Sequence, residues 1–141
     1  MSGSSQIHRR GLLGVLTTLL LVTATAWAGT YLNSASLLLA EASSEGDYLR
    51  ARINDKELAE LIHKLADARL EAAKNILVPK EVVQAHPHLL LVLENYERAA
   101  DAATRGEGEK FLVYQQHARD EDRTFRGVLK QFGYSLPEPK P

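Results

Sequence analysis

Apolar side chains recur at intervals of three and four residues along most of the chain, which is the period of one face of an α-helix. The first such segment covers residues 30–43, and its end is predicted at residues 43–46, Ser-Ser-Glu-Gly, because serine and glycine both disfavour a helix interior. Its apolar face consists of Leu32, Ala35, Leu39 and Ala42.

The second segment, residues 47–78, has the strongest stripe and is expected to end at Val78-Pro79. Asn54, followed three residues later by Glu57, suits an internal cap. Lysine and carboxylate side chains occupy the opposite face, which is therefore expected to be exposed to solvent. The stripe itself comprises Leu58, Leu61, Ile62, Leu65, Ala68, Ala72 and Ile76.

Two further segments, 87–104 and 109–132, are joined by a short connection around Gly106, and Gly133 suits the end of the last helix. Four amphipathic helices with short connections predict an all-α fold, an antiparallel four-helix bundle over residues 29–133. Residues 134–141 contain three prolines and predict a mobile tail. The core is expected to bury three large side chains together, namely Leu61, Leu65 and Phe125.

The N-terminus has the pattern of an export signal. Arg9 and Arg10 precede a run of residues, 11–40, that contains no charged side chain. Ala26-Trp27-Ala28 has the small residues that signal peptidase requires, so residues 1–28 are predicted to be a signal peptide cleaved before Gly29. The alternative is a retained membrane anchor reaching to about residue 32, since about 20 apolar residues span a bilayer.

Both interpretations place the domain outside the cytoplasm, because the arginines precede the apolar segment. The expected location is therefore periplasmic or secreted, or tethered to the inner membrane by residues 11–32. The only predicted membrane contact is an uncleaved N-terminal helix.

Composition excludes several classes of protein. The chain has no cysteine, which rules out disulfides, thiolate metal sites and a cysteine nucleophile. Its formal net charge of −1 provides no basic field for nucleic acid. No phosphate-binding, dinucleotide-binding or nucleophile-elbow motif occurs, so the chain is predicted not to be an enzyme.

Two pairs of residues have metal-ligand spacing. Glu60 and His63 are three residues apart on the second segment, and His117 and Glu121 are four apart on the fourth. Because Glu60 and His63 fall beside the apolar stripe, they are predicted to be solvated helix surface with no cofactor bound. The alternative is an iron, zinc or haem site, with His63 and His117 as the possible haem ligands.

The longest connection, residues 78–88, is the predicted partner-binding edge. It carries Val82, Val83, His86 and His88, a set of apolar side chains with polar imidazoles. The alternative is that the two valines cap the open end of the core.

A run of five charges, residues 119–123, places Glu121 or Asp122 at the edge of the fourth stripe. Arg69, which interrupts the second stripe, is the expected partner in an interhelical salt bridge, or else part of a polar ligand site. Taken together, the sequence predicts an exported, non-catalytic helical interaction or scaffold module of a bacterial-type cell envelope. Its partner is expected to be another envelope protein; a metal- or haem-binding bundle is the alternative, and the oligomeric state is left open.

Overall fold

The computed structural model describes the backbone of residues 7–139 and the side chains of residues 27–139. This part of the chain forms four α-helices and one short 3-10 turn, and it contains no strand. The helices are α1 (Ile7–Ala51), α2 (Lys56–Lys74), α3 (His86–Thr104) and α4 (Gly108–Gln131), with the 3-10 turn at Lys80–Val82. The predicted all-α class is confirmed.

The third helix lies at the centre of the bundle and packs against the other three. A bond between His63 of α2 and Glu97 of α3, and another between His88 of α3 and Glu121 of α4, join it to its neighbours. Tyr31 contacts the start of α3, whereas Gly46 lies further along it, so α1 and α3 run in the same direction.

Two adjoining clusters of buried side chains fill the interior. The larger one lies toward the end where α3 begins and includes Tyr31, Leu89, Leu93, Phe125 and Leu129. The smaller one lies toward the α1–α2 and α3–α4 connections, where Leu49, Ile62 and Phe111 pack with four alanines of α3. Alanine brings α3 close to its neighbours because its side chain adds little width to the helix.

The predicted break at residues 43–46 is wrong, because α1 continues to Ala51. Gly46 lies inside the helix against the Tyr96 ring, where a Cβ atom would come within 2.9 Å of Cε1. Its glycine is therefore needed for close packing rather than for a turn. Asp55 instead of Asn54 caps α2, its carboxylate accepting a hydrogen bond from the backbone N–H of Leu58 at 3.0 Å.

The predicted orientation of α2 is also wrong. Leu61 is 55% exposed and Leu65 is 43% exposed, whereas Phe125 is fully buried as expected. The buried face of α2 is instead made mostly of smaller side chains, together with one arginine: Ala59, Ile62, Ala66, Arg69, Leu70 and Ala73. Three alanines spaced seven residues apart, Ala59, Ala66 and Ala73, let α2 approach its neighbours, and Leu61 and Leu65 are turned toward solvent.

Glycines follow the ends of α3 and α4, as predicted. Gly106 and Gly133 have φ angles of 72° and 82°, in the left-handed region that glycine adopts readily. The tail makes contacts that the sequence did not suggest. Leu136 packs against the larger cluster, and the Ser36 hydroxyl of α1 donates a hydrogen bond to the Pro137 carbonyl at 2.6 Å. The tail therefore lies against α1.

The predicted signal peptide or anchor lies almost wholly outside the residues whose side chains are described. Export, cleavage before Gly29 and anchoring by residues 11–32 accordingly remain predictions. Within residues 27–139, no helix is both long and apolar enough to cross a bilayer.

Candidate functional site

The predicted partner-binding edge divides into buried and exposed residues. Val82 ends the 3-10 turn and is fully buried in the larger cluster together with Ala85. Val83, the next residue, is exposed. Val82 therefore closes the end of the core, as the alternative interpretation has it, and only Val83 of the two valines can contact a partner directly.

His86 joins three helices. Its Nδ1 atom lies 3.0 Å from the Tyr31 hydroxyl of α1, and the ring also hydrogen-bonds to the backbone of Ala73 in α2. Burial lowers the pKa of His86, because the protonated ring loses solvation, and the Ala73 bond opposes this only in part. A neutral ring with Nδ1 accepting from Tyr31 fits this position, which makes His86 a structural bridge.

His88 bonds across the α3–α4 interface. Its Nδ1 atom lies 3.1 Å from a carboxylate oxygen of Glu121, and both side chains are about one-third exposed. His88 was predicted to bind a partner and Glu121 to bind a metal, but the two side chains contact each other. A pairing of this kind depends on the register between α3 and α4, which no local motif reveals.

The four predicted metal ligands do not converge. His63 pairs with Glu97 at 2.7 Å, Glu60 is exposed, and the exposed His117 stacks edge-on with Tyr114. Among the residues described, no group of three or more histidine and carboxylate side chains has an arrangement that could hold a metal ion. The four residues therefore do not form one ligand set, and the iron, zinc or haem alternative stays a prediction.

Arg69 is the polar side chain most deeply placed between α1 and α2. Its guanidinium donates a hydrogen bond to Glu45 at 2.7 Å and lies 3.6 Å from Glu41, so its predicted pairing with Glu121 or Asp122 is wrong. Asp122 instead accepts from Arg126 on its own helix. The arginine neutralises two carboxylates of α1, which fixes the position of α1 against α2.

A polar groove of about 500 Å³ lies between α1 and α4, beneath the tail. Within it Ser43 hydrogen-bonds with the Tyr96 side chain, and burial raises the pKa of that phenol. Arg119 donates to Asp47 at 3.1 Å along the same interface. Because Leu136 and Pro137 line this groove, the tail fills part of the space between the two helices.

Two sets of exposed apolar side chains lie on the surface, separate from other exposed apolar residues such as Leu37, Leu91 and Val113. The first, which we call the α2 stripe, consists of Leu61, Leu65, Ala68 and Ala72 on one face of α2. The second, which we call the bundle end, lies where α1 enters the bundle and consists of Trp27, Leu77, Val83 and Phe132. The sequence identified the residues of the α2 stripe as apolar but predicted that they face the core, and of the bundle end it proposed only Val83 as a binding residue. Their exposure depends on how the helices are rotated against α3.

No protein-family model matches this chain, and neither a curated protein nor a solved structure matches it.

Proposed function

We propose that this chain is a non-catalytic helical interaction module, exported and then held at the membrane of a bacterial-type envelope by its N-terminal helix. The observation that carries the interaction role is the α2 stripe. Its members recur at four, three and four residues, the spacing with which one helix packs against another.

While they are exposed, Leu61 and Leu65 contribute little to the stability of the bundle on its own. Full burial of one leucine contributes about 1.5–3 kcal/mol, so covering Leu61 and Leu65 would stabilise a complex. The rest of the α2 surface is charged, with Lys64 and Glu71 exposed beside the stripe. The partner we propose is another envelope protein that presents an apolar helix face.

The continuity of α1 supports retention of the N-terminal segment. The helix runs through the predicted cleavage site, and Ala28 is only 2% exposed. Cleavage before Gly29 would make Tyr31 the third residue of the mature chain. Because chain ends fray, the buried Tyr31 and its bond to His86 favour an intact α1.

The non-catalytic role rests on how the polar side chains are used. His63, His86 and His88 each bond to a side chain of a neighbouring helix. Such pairs set the register of the bundle and leave each imidazole engaged in a structural contact.

The interaction role can be tested by site-specific photo-crosslinking in cells. A photoreactive amino acid at Leu65 is expected to give a defined protein adduct, because this position lies in the α2 stripe. The matched control is the same amino acid at the exposed neighbour Lys64, which lies outside the stripe. Equal or absent adducts at the two positions, scored by gel shift and mass spectrometry, would contradict the proposal.

Retention can be tested by fractionating cells that produce the full chain with an epitope after Pro141. The chain is expected in the membrane fraction with its N-terminal segment intact, because α1 is continuous through residue 28. Mass spectrometry measures the N-terminus directly. A soluble chain that starts at Gly29 would show instead that the leader is cleaved.

A further inference from the structure

The bundle end gathers large apolar side chains from three different parts of the chain. Leu77 is 67% exposed and Phe132 is 42% exposed, and Trp27 and Val83 are exposed as well. Trp27 and Leu77 also line one shallow pocket with Tyr31 and Ile76. Tyr31 in turn bonds to His86, which ties this pocket to the start of α3.

The order of the helices explains why these residues share one end. Each of α2, α3 and α4 runs opposite to the helix before it. Glu45 of α1 contacts Arg69, whereas the later Leu49 packs with the earlier Ile62. His63 of α2 pairs with Glu97, whereas the later Ala73 bonds to the earlier His86. His88 of α3 pairs with Glu121, whereas later alanines of α3 pack with the earlier Phe111. The point where α1 enters the bundle, the end of α2, the start of α3 and the end of α4 therefore meet. Trp27 belongs to the first of these, Leu77 follows the second, Val83 precedes the third and Phe132 follows the fourth.

The chain also leaves the bundle at this end. From Trp27, α1 continues back to Ile7, and residues 11–27 carry no charged side chain. A helix rises about 1.5 Å per residue, and a segment of this length is near the lower end of the roughly 17–25 residues with which helices cross the hydrocarbon layer. Because α1 is continuous, a bilayer spanned by these residues would face the bundle end directly.

We infer that the bundle end rests on the lipid surface of the bilayer that its own N-terminal helix spans. This inference depends on the retained anchor of the proposed function and adds a second membrane contact to it. Tryptophan and phenylalanine are suited to the boundary between headgroups and acyl chains. Lys80 and Lys130 are exposed at the same end, where their ammonium groups can reach lipid phosphates, with Glu81 as an acidic neighbour.

Lipid explains the composition of the bundle end better than a second copy of the chain does. The apolar residues come from separate helix ends and connections rather than from one continuous helix face. A lipid surface accommodates such a set because it imposes no register. The inference therefore assigns the bundle end to lipid and leaves the α2 stripe, on a different helix face, for a protein partner.

The absence of cysteine allows a single label to be placed anywhere on the chain. The full chain, with Leu77→Cys or Phe132→Cys, is labelled with a pyrene maleimide and reconstituted into phosphatidylcholine–phosphatidylglycerol vesicles containing doxyl-labelled lipid. The matched control is Leu112→Cys, an exposed leucine in the first turns of α4 at the opposite end. Quenching is expected to be several-fold stronger at Leu77 and Phe132 than at Leu112.

The outcomes separate this inference from the proposed function. The intact mass of the reconstituted chain first establishes whether the N-terminal segment is present. With an intact, inserted chain, quenching at Leu77 and Phe132 no greater than at Leu112 would overturn the lipid contact while the tether stands. Pyrene excimer emission without lipid quenching would assign the bundle end to a second copy. A chain that starts at Gly29 and leaves the vesicles would overturn both.

Discussion

Replacing Phe125 with alanine is expected to lower the free energy of unfolding by about 3–5 kcal/mol, the usual cost of removing a buried ring. Phe125 is fully buried in the larger cluster, where α4 packs against α1 and α3. Its loss would leave a cavity that the surrounding helices, already packed on several sides, can fill only in part. Urea denaturation of the full chain measures the change.

The matched control for this prediction is Leu65→Ala. Leu65 is exposed, so its replacement is expected to change the free energy of unfolding by well under the cost at Phe125. Comparable losses at the two positions would show that α2 is rotated differently from the orientation described above. The comparison therefore tests the packing of α2 as well as the role of Phe125.

Replacing Arg69 with alanine is expected to cost about 2–3 kcal/mol, between the values for exposed and for fully buried ion pairs. Glu45 and Glu41 lose their common cation, and Glu45 already has one buried carboxylate oxygen without a hydrogen-bond partner. The partly buried Glu45 would then lack its ion-pair partner, whereas the half-exposed Glu41 remains solvated. Thermal or urea unfolding measures the loss.

A double-mutant cycle provides the control for Arg69. The double variant Arg69→Met with Glu45→Met removes the charge of both partners while keeping most of their volume. It is expected to be more stable than the sum of the two single changes predicts, because no uncompensated carboxylate remains. Strictly additive losses would mean that the two side chains do not interact.

Helix boundaries could be predicted from the sequence where the end of the apolar periodicity coincides with a glycine. For α3 and α4 the predicted segments, 87–104 and 109–132, differ from the observed ones by one residue at each shifted end. Gly106 and Gly133 supplied independent signals there, since both adopt positive φ. In the first helix the two signals conflicted. Gly46 was interpreted as a helix end, but it lies inside the helix, where the absence of a side chain allows close contact with Tyr96.

The orientation of α2 could not be predicted because hydrophobicity favours leucine over alanine. The core at α2 requires small side chains, since Ala59, Ala66 and Ala73 allow close approach to α3. Arg69 lies on the buried face although it is charged, so apolar periodicity places it on the wrong side of α2. Its burial depends on Glu41 and Glu45, which belong to another helix. The orientation therefore depends on a contact that spacing along one helix does not contain.

The candidate site was predicted only in part, for a similar reason. The sequence identified His86 and His88 as notable residues, and both do lie at helix junctions. Their partners Tyr31 and Glu121 are set by the relative positions of the helices. Leu77 and Phe132 fall inside the predicted segments 47–78 and 109–132, whereas the helices end at Lys74 and Gln131. Their exposure could therefore not be predicted from periodicity.

The position of α1 on α3 has a consequence for the order in which the molecule is completed. A chain is synthesised from its N-terminus, so α1 is made first, while α3, against which it packs, follows only after α2. Until α3 has been synthesised, the face of α1 that packs against α3 stays exposed. The bond from Ser36 to Pro137 joins residues 101 positions apart and can form only when the chain is nearly finished. The earliest helix is thus the last to be fully enclosed, and the tail closes over it.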